Sequence, residues 1–283
     1  MKTILVTGAG GQLGQCFRKQ ALKFPNFKYI FCTSRELDIT SKTQLRSEID
    51  RYSPDVVINA AAYTNVELAE TEKEKAFLVN ADASRNLAEI CSEKAIELFH
   101  FSTDYVFNGR ASEPYSEEDE IDPINVYGAS KLEGERMIEE KLEKHFIFRT
   151  SWLYSEFGHN FFKTILKKAA KKAELNITSS QTGTPTNAND LAEFVLKIIE
   201  SGSKEYGIYH FSNLGEATWY DFAREILEYA GKIDEVVLNK TGFFKTKAER
   251  PEYSVLSKEK ALNTFGFNIP HWKESLHGLI DEN

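Results

Sequence analysis

A continuous run of β-branched and aliphatic residues, Thr3–Thr7 (TILVT), leads straight into Gly8-Ala9-Gly10-Gly11-Gln12-Leu13-Gly14, and helical spacing begins at Gln12. No other stretch narrows the possible folds so far. An uninterrupted apolar run is what a strand buried on both faces of a parallel sheet requires. Glycines at 8, 11 and 14 allow positive φ in a tight turn and leave the backbone bare where it meets a pyrophosphate. The helix behind them points its free N–H groups and positive end at that anion. Strand, glycine turn and helix in this order predict a dinucleotide-binding unit.

The rest of the chain repeats the rhythm. Strands are predicted at Phe27–Cys32, Asp55–Asn59, Ile96–Ser102 and His145–Thr150. Helices are predicted from Gln12 to Lys23, from a Thr40-Ser41 cap to Tyr52, from Thr71 to Lys94 and from Tyr127 to Glu143. Alternation of this kind implies right-handed βαβ crossovers and an α/β fold with a doubly wound parallel sheet. After Trp152 the rhythm loosens. Helices are expected at Phe161–Lys172, Asn189–Glu200 and Trp219–Tyr229, and a strand at Ile208–Ser212. Residues 1–152 therefore read as the nucleotide-binding core. Residues 153–283 read mostly as a smaller, interleaved substrate-binding lobe, with segments near 174–212 returning to the core.

Charge and cysteine usage restrict the partners. Thirty-five basic against 43 acidic residues give −8, the wrong sign for gripping a nucleic-acid backbone. No apolar run reaches the ~20 residues of a membrane helix. Cys16, Cys32 and Cys91 form no C-x-x-C pair, which suits buried thiols in a reducing cytoplasm, and the six histidines show no metal spacing.

Two further segments carry chemistry. Tyr127-Gly128-Ala129-Ser130-Lys131 sets a phenol and an amine on one helix face at i and i+4. A phenol titrates near ~10, so proton transfer at neutral pH calls for a neighbouring positive charge, which Lys131 supplies. Ser102-Thr103-Asp104-Tyr105-Val106-Phe107 follows the fourth strand, and Thr103 can hydrogen-bond the reacting oxygen from the same crevice. At the end of the second strand stands Thr33-Ser34-Arg35, where an arginine suits an adenosine 2′-phosphate. The next acid, Glu36, is expected to be turned away by strand alternation. Asp38 and Ile39 are candidates to flank the adenine. The small residues Ala60-Ala61-Ala62 leave room for a cofactor after the third strand.

The glycine loop, NAAAYT at 59–64, STDYVF at 102–107, YGASK at 127–131 and FRTSWLY at 148–154 resemble the extended short-chain dehydrogenase/reductases. Within them the chain is most similar to the dTDP-4-dehydrorhamnose reductase branch, and QTGTPT at 181–186 and AERP at 248–251 agree with it. The resemblance implies a catalytic set of Thr103, Tyr127 and Lys131. It implies cofactor contacts from Gly11, Gln12, Leu13, Ala62, Tyr63 and Thr64, with Asn80 behind the active site. Asp104, Tyr105 and Trp152 would face a dTDP-sugar. Arg250 is the candidate for its diphosphate. The implied reaction is NADPH-dependent reduction of a 4-keto group, with NADH usable because the glycine loop reads only the pyrophosphate. Members of the branch often pair through their surfaces, so a homodimer is the implied assembly.

Two departures stand out: Ser180 replaces the branch's aspartate before Gln181, and Ser34-Arg35 replaces the acid some members carry. The alternatives within the superfamily are a 4-epimerase and a 4,6-dehydratase. The latter needs an acidic pair after the threonine, whereas Asp104 is followed here by Tyr105. An alternative of another class is a non-catalytic NADP-binding regulatory subunit.

Overall fold

Six parallel strands form the centre of the molecule: β1 (Thr3–Thr7), β2 (Lys28–Phe31), β3 (Val56–Asn59), β4 (Glu97–Thr103), β5 (His145–Thr150) and β6 (Gly207–His210). The computed structural model describes residues 1–242 and 246–282. The sheet order is β6-β5-β4-β3-β1-β2. The chain starts in mid-sheet, steps to β2 on one side, then crosses to β3 and proceeds outward. The connections after β1 and β3 therefore diverge, and a crevice opens at the carboxyl ends of those strands.

The first strand shows why its run is unbroken. Ile4 and Val6 pack on one face with Phe17 and with Leu191 and Val195. Leu5 packs on the other with Leu45, Leu87 and Ile138. The helices that supply these residues are α1 (Gln12–Gln20), α2 (Lys42–Tyr52), α3 (Ala83–Glu93), α4 (Val126–Lys141) and α5 (Ala188–Ser201). The expected cap of α2 is Ser41, whose side chain accepts from the Gln44 N–H.

One expected element is divided. In place of a single helix from Thr71 to Lys94 there is a helix at Lys73–Phe77, a π-helical turn at Leu78–Asp82, and then α3. The wide turn carries Asn80, whose amide is engaged outside its own helix. Its Oδ1 accepts from the Tyr63 N–H at 2.9 Å, and its Nδ2 donates to the Tyr63 carbonyl at 3.1 Å and to Ser130 Oγ at 2.9 Å. Helical periodicity does not register such a turn, because its residues remain helix formers.

The lobe has its own core, built from Tyr154, Phe162, Leu175, Phe222, Ile226 and Trp272. Leu175–Thr178 pairs with Leu238–Thr241 inside it, so the chain returns to the sheet later than the expected 174. The return runs through α5, which packs with α1 on the sheet, and β6, which adds to β5. None of the helices among the described residues is long and apolar enough to cross a membrane.

Candidate active site

A cavity of about 470 Å³ lies at the carboxyl ends of β1, β3 and β4. That is within the range of small-molecule sites. Its cofactor side begins at the glycine turn. Gly8 has φ +63°, and a Cβ there would lie 2.5 Å from the Ala61 nitrogen; a Cβ at Gly14 would lie 2.4 Å from the Gly8 carbonyl oxygen. These two glycines therefore shape the turn from beneath, by close backbone approach. Gly11, Gln12 and Leu13 line the cavity itself. Gly11 caps α1 in extended conformation with no side-chain acceptor, and the first turn holds no acid. The first N–H groups of the helix are thereby left for an anion, and the turn fits a dinucleotide pyrophosphate.

The reacting end is assembled by α4 pressing on the loop after β4. Asn125 caps α4, accepting from the Gly128 N–H at 2.8 Å and donating to the Glu249 carbonyl at 2.9 Å. A Cβ on Gly128 would meet the Tyr105 carbonyl oxygen at 2.1 Å, and one on Gly134 would meet the Asn80 carbonyl oxygen at 2.1 Å. The glycines in this helix are what lets Tyr127 come down beside Thr103. The Thr103 hydroxyl donates to Asp104 Oδ1 at 3.0 Å and lies in hydrogen-bonding contact with the Tyr127 phenol. Tyr105 and Tyr127 meet edge to face at 6.0 Å.

Burial dominates the electrostatics here. It pushes the Tyr127 phenol up to about 12, assisted by the charge of Asp104 and opposed by the Thr103 contact. It raises the Asp104 carboxyl to about 6 and lowers the Lys131 amine to about 8, the latter opposed by Glu135. Lys131, expected to make the phenol more acidic, lies with its Nζ 3.1 Å from His100 Nε2.

Of the other residues singled out in the sequence, Ala62, Thr64, Asp104, Tyr105 and Trp152 line the cavity. Tyr63 does not line it: its hydroxyl donates to Glu72 at 3.0 Å, and its backbone N–H and carbonyl are bonded to Asn80. Asn80 stands behind the wall as described above. Asp38 accepts from the Thr40 N–H and hydroxyl at 2.9 and 2.7 Å, Ile39 is buried in the core, and neither lines this cavity. Arg35 is exposed at the end of β2. Glu36 is not turned away: its carboxylate bends back to accept from the Thr33 N–H and hydroxyl, both at 2.8 Å. Those bonds hold its carboxyl below the usual range. Arg250 pairs with Glu67 at 2.8 Å and touches Tyr105.

No local pattern singles out Trp219, which stacks on Trp152 at 3.6 Å and 10° to form the lobe-side wall. Its indole N–H donates to Gln181 Oε1 at 3.0 Å. Trp152 has φ +45°, a costly conformation for a bulky residue. The indole sits where a Cβ on Gly183 would come within 2.7 Å of it. Asn160, also unforeseen, reaches across from the lobe to donate to Gln12 Oε1 at 2.7 Å.

The whole chain, residues 1–283, matches the family model described as the RmlD substrate binding domain. The spore coat polysaccharide biosynthesis protein SpsK of Bacillus subtilis is 40% identical over 282 residues, covering 100% of this chain and 98% of that protein. A dTDP-4-dehydrorhamnose reductase of Aggregatibacter actinomycetemcomitans is 39% identical over 292 residues, covering 99% and 98%. The crystal structure of dTDP-4-dehydrorhamnose reductase from Bacillus anthracis in complex with NADP has a TM-score of 0.94 at 36% identity, covering 100% of this chain and 99% of that one.

Proposed function

The chain belongs to the dTDP-4-dehydrorhamnose reductase family, and we propose that it uses NADPH to reduce the 4-keto group of dTDP-4-dehydro-L-rhamnose to dTDP-L-rhamnose, with Tyr127 as the proton donor. The observation that carries the assignment of roles is the convergence of Thr103 and Tyr127 in a cavity shared with the glycine turn.

NADPH, when bound, supplies the hydride. Gly11, Gln12 and Leu13 would hold its pyrophosphate at the start of α1. The Tyr127 phenol, raised to about 12 by burial, is fully protonated at neutral pH and can release its proton to the oxygen developing at C4. Thr103 offers that oxygen a second hydrogen bond from a fixed strand end. Lys131 is the group placed to hold a ribose hydroxyl. The stacked Trp152 and Trp219 give the sugar nucleotide an apolar wall. Asp104 and Tyr105 face it from the other side. Arg250, held by Glu67, is the candidate for the diphosphate. The three cysteines are free and buried, which supports placing the reaction in a reducing cytoplasm.

The test is to supply dTDP-4-dehydro-L-rhamnose with NADPH and identify the product. Oxidation of one NADPH for each dTDP-L-rhamnose formed is expected. Release of a 4-keto-6-deoxy product from dTDP-glucose would replace this reading with a dehydratase.

A further inference from the structure

A loop of the lobe lies against the glycine turn. Asn160, at its end, caps the helix Phe161–Ala169, and its Oδ1 accepts from the Lys163 N–H at 3.0 Å. Its Nδ2 lies 2.7 Å from Gln12 Oε1, 2.8 Å from the Ser155 carbonyl and 3.0 Å from the Phe157 carbonyl. The loop is held close along α1. A Cβ on Gly158, whose φ is +67°, would come within 3.3 Å of Gln12 Cβ. Further down the helix, the Glu156 carboxylate accepts from Lys19 Nζ at 2.8 Å and from Asn189 Nδ2 of α5 at 2.9 Å.

The orientation of both amides follows from the backbone. A main-chain N–H only donates and a main-chain carbonyl only accepts. Asn160 meets one such donor and two such acceptors. Its oxygen therefore faces Lys163, and its NH₂ faces the loop and Gln12. Turning the amide over would set oxygen against carbonyl twice and NH₂ against N–H once. The Gln12 atom opposite this NH₂ must then be the oxygen, and the Gln12 NH₂ is turned the other way. That NH₂ has no hydrogen-bond partner among the described residues. Gln12 lines the cavity between Gly11 and Leu13, at the start of α1.

We propose that Asn160 is a positioning residue for the cofactor: it holds the Gln12 amide with its NH₂ toward the cavity, as a donor to the pyrophosphate of bound NADPH. The inference rests on the reading of the glycine turn as the NADPH site, and it adds a side-chain donor to those of the helix start. An amide oriented before the cofactor arrives loses little freedom on binding. The first turn of α1 holds no acid that could claim the NH₂ instead. Asn160 and Glu156 belong to the lobe, so the lobe takes part in gripping the cofactor. The residue after Asn160 reaches the other side of the cleft, where Phe161 packs on Trp219 with ring centroids 4.6 Å apart.

Binding of NADPH and of adenosine 2′-monophosphate, which has no pyrophosphate, tests this without turnover. The variants are Gln12→Ala, Asn160→Ser and the two combined. Serine still caps the lobe helix but has no NH₂ to offer Gln12. Gln12→Ala should weaken NADPH about tenfold, the worth of one hydrogen bond to a charged group. Asn160→Ser should weaken it about threefold or more, and the double variant no further than Gln12→Ala, because the two residues act through one bond. Adenosine 2′-monophosphate should bind all four proteins alike. In the wild type, the Gln12 side-chain NH₂ signal in nitrogen NMR, assigned by its loss in Gln12→Ala, should move with NADPH and stay in place with adenosine 2′-monophosphate. An unmoved signal, losses that multiply in the double variant, or equal weakening of both ligands would overturn the proposal and leave the reductase reading in place. Undiminished NADPH affinity in a folded Asn160→Ser would do the same. A wild type that binds no NADPH would overturn both.

Discussion

At the floor of the cleft, Thr103, Tyr127 and Lys131 are held by neighbours from several elements. At its adenosine end, Thr33, Arg35 and Glu36 lie on a single turn after β2. The floor is built by close approach: Gly128 and Gly134 bring α4 against the Tyr105 and Asn80 carbonyls, and Asn80 ties the loop after β3 to Ser130. The adenosine end is held mainly by Glu36 closing onto Thr33, and Arg35 is exposed beside it. The contrast teaches where precision is spent. Proton delivery needs fixed geometry, since a small misplacement costs rate steeply. Holding an adenosine phosphate needs a charge of the right sign within reach, and on the proposed reading the exposed Arg35 is the candidate.

The comparison can be broken first at the floor. Tyr127→Phe should lower turnover ~10²–10⁴-fold, the usual worth of a positioned acid, and leave NADPH affinity nearly unchanged. Turnover within a factor of two of wild type in a steady-state assay would remove Tyr127 from the mechanism. Thr103→Val keeps the shape and deletes the hydroxyl. It should cost ~10²–10³ in kcat, the range for losing one donor to a developing oxyanion. A rise in KM alone would make Thr103 a substrate anchor.

The pH dependence of stability separates the two regions next. Asp104 has an ordinary value of 3.8, and burial raises it to about 6 in the folded protein. The fold therefore binds this proton more tightly than the unfolded chain does. The associated stability is complete below about 4 and is lost as pH rises through about 6, a matter of ~3 kcal/mol. Denaturant midpoints for Asp104→Asn should lack that decline and should exceed wild type at pH 8. Glu36 is exposed, and Glu36→Gln should leave the midpoints alone.

The smallest effect belongs to the adenosine end. Arg35→Ala should weaken NADPH ~10-fold and leave NADH unaffected, because only the 2′-phosphate meets the guanidinium. Glu36→Gln should shift the preference the other way, toward NADPH, since the carboxylate sits at the strand end. Fluorescence titration with both cofactors checks this. Equal losses for both in Arg35→Ala would mean that Arg35 packs against the shared adenosine.

The same contrast explains what could be read in the sequence. The glycine turn, the paired Tyr127 and Lys131, and the strand ending in Thr103 are local patterns whose spacing reflects local geometry. The pieces that were missed are non-local. Trp219 reaches the cleft only because the lobe folds back onto Trp152, and nothing around residue 219 announces it. Asn80 itself was named by the resemblance, but the π-helical turn that carries it was not foreseen, having ordinary helix-forming residues on either side. Glu36 follows a turn after β2, so the alternation expected to turn it away no longer applies. Asp38 and Ile39, the candidates to flank the adenine, are engaged in a local turn and packed into the core. Lys131 has the spacing to serve Tyr127, and its further contact with His100, from a strand 31 residues away, was not legible in that spacing.

The central claim is that hydride passes to C4 of the sugar while Tyr127 supplies the proton. NADPH carrying deuterium in both C4 positions of its nicotinamide, incubated with the enzyme and dTDP-4-dehydro-L-rhamnose in ordinary water, tests it most directly. The account predicts dTDP-L-rhamnose with one deuterium on C4 and none elsewhere, formed at wild-type rates and nearly abolished in Tyr127→Phe. Product without deuterium, or deuterium at another carbon, would contradict it.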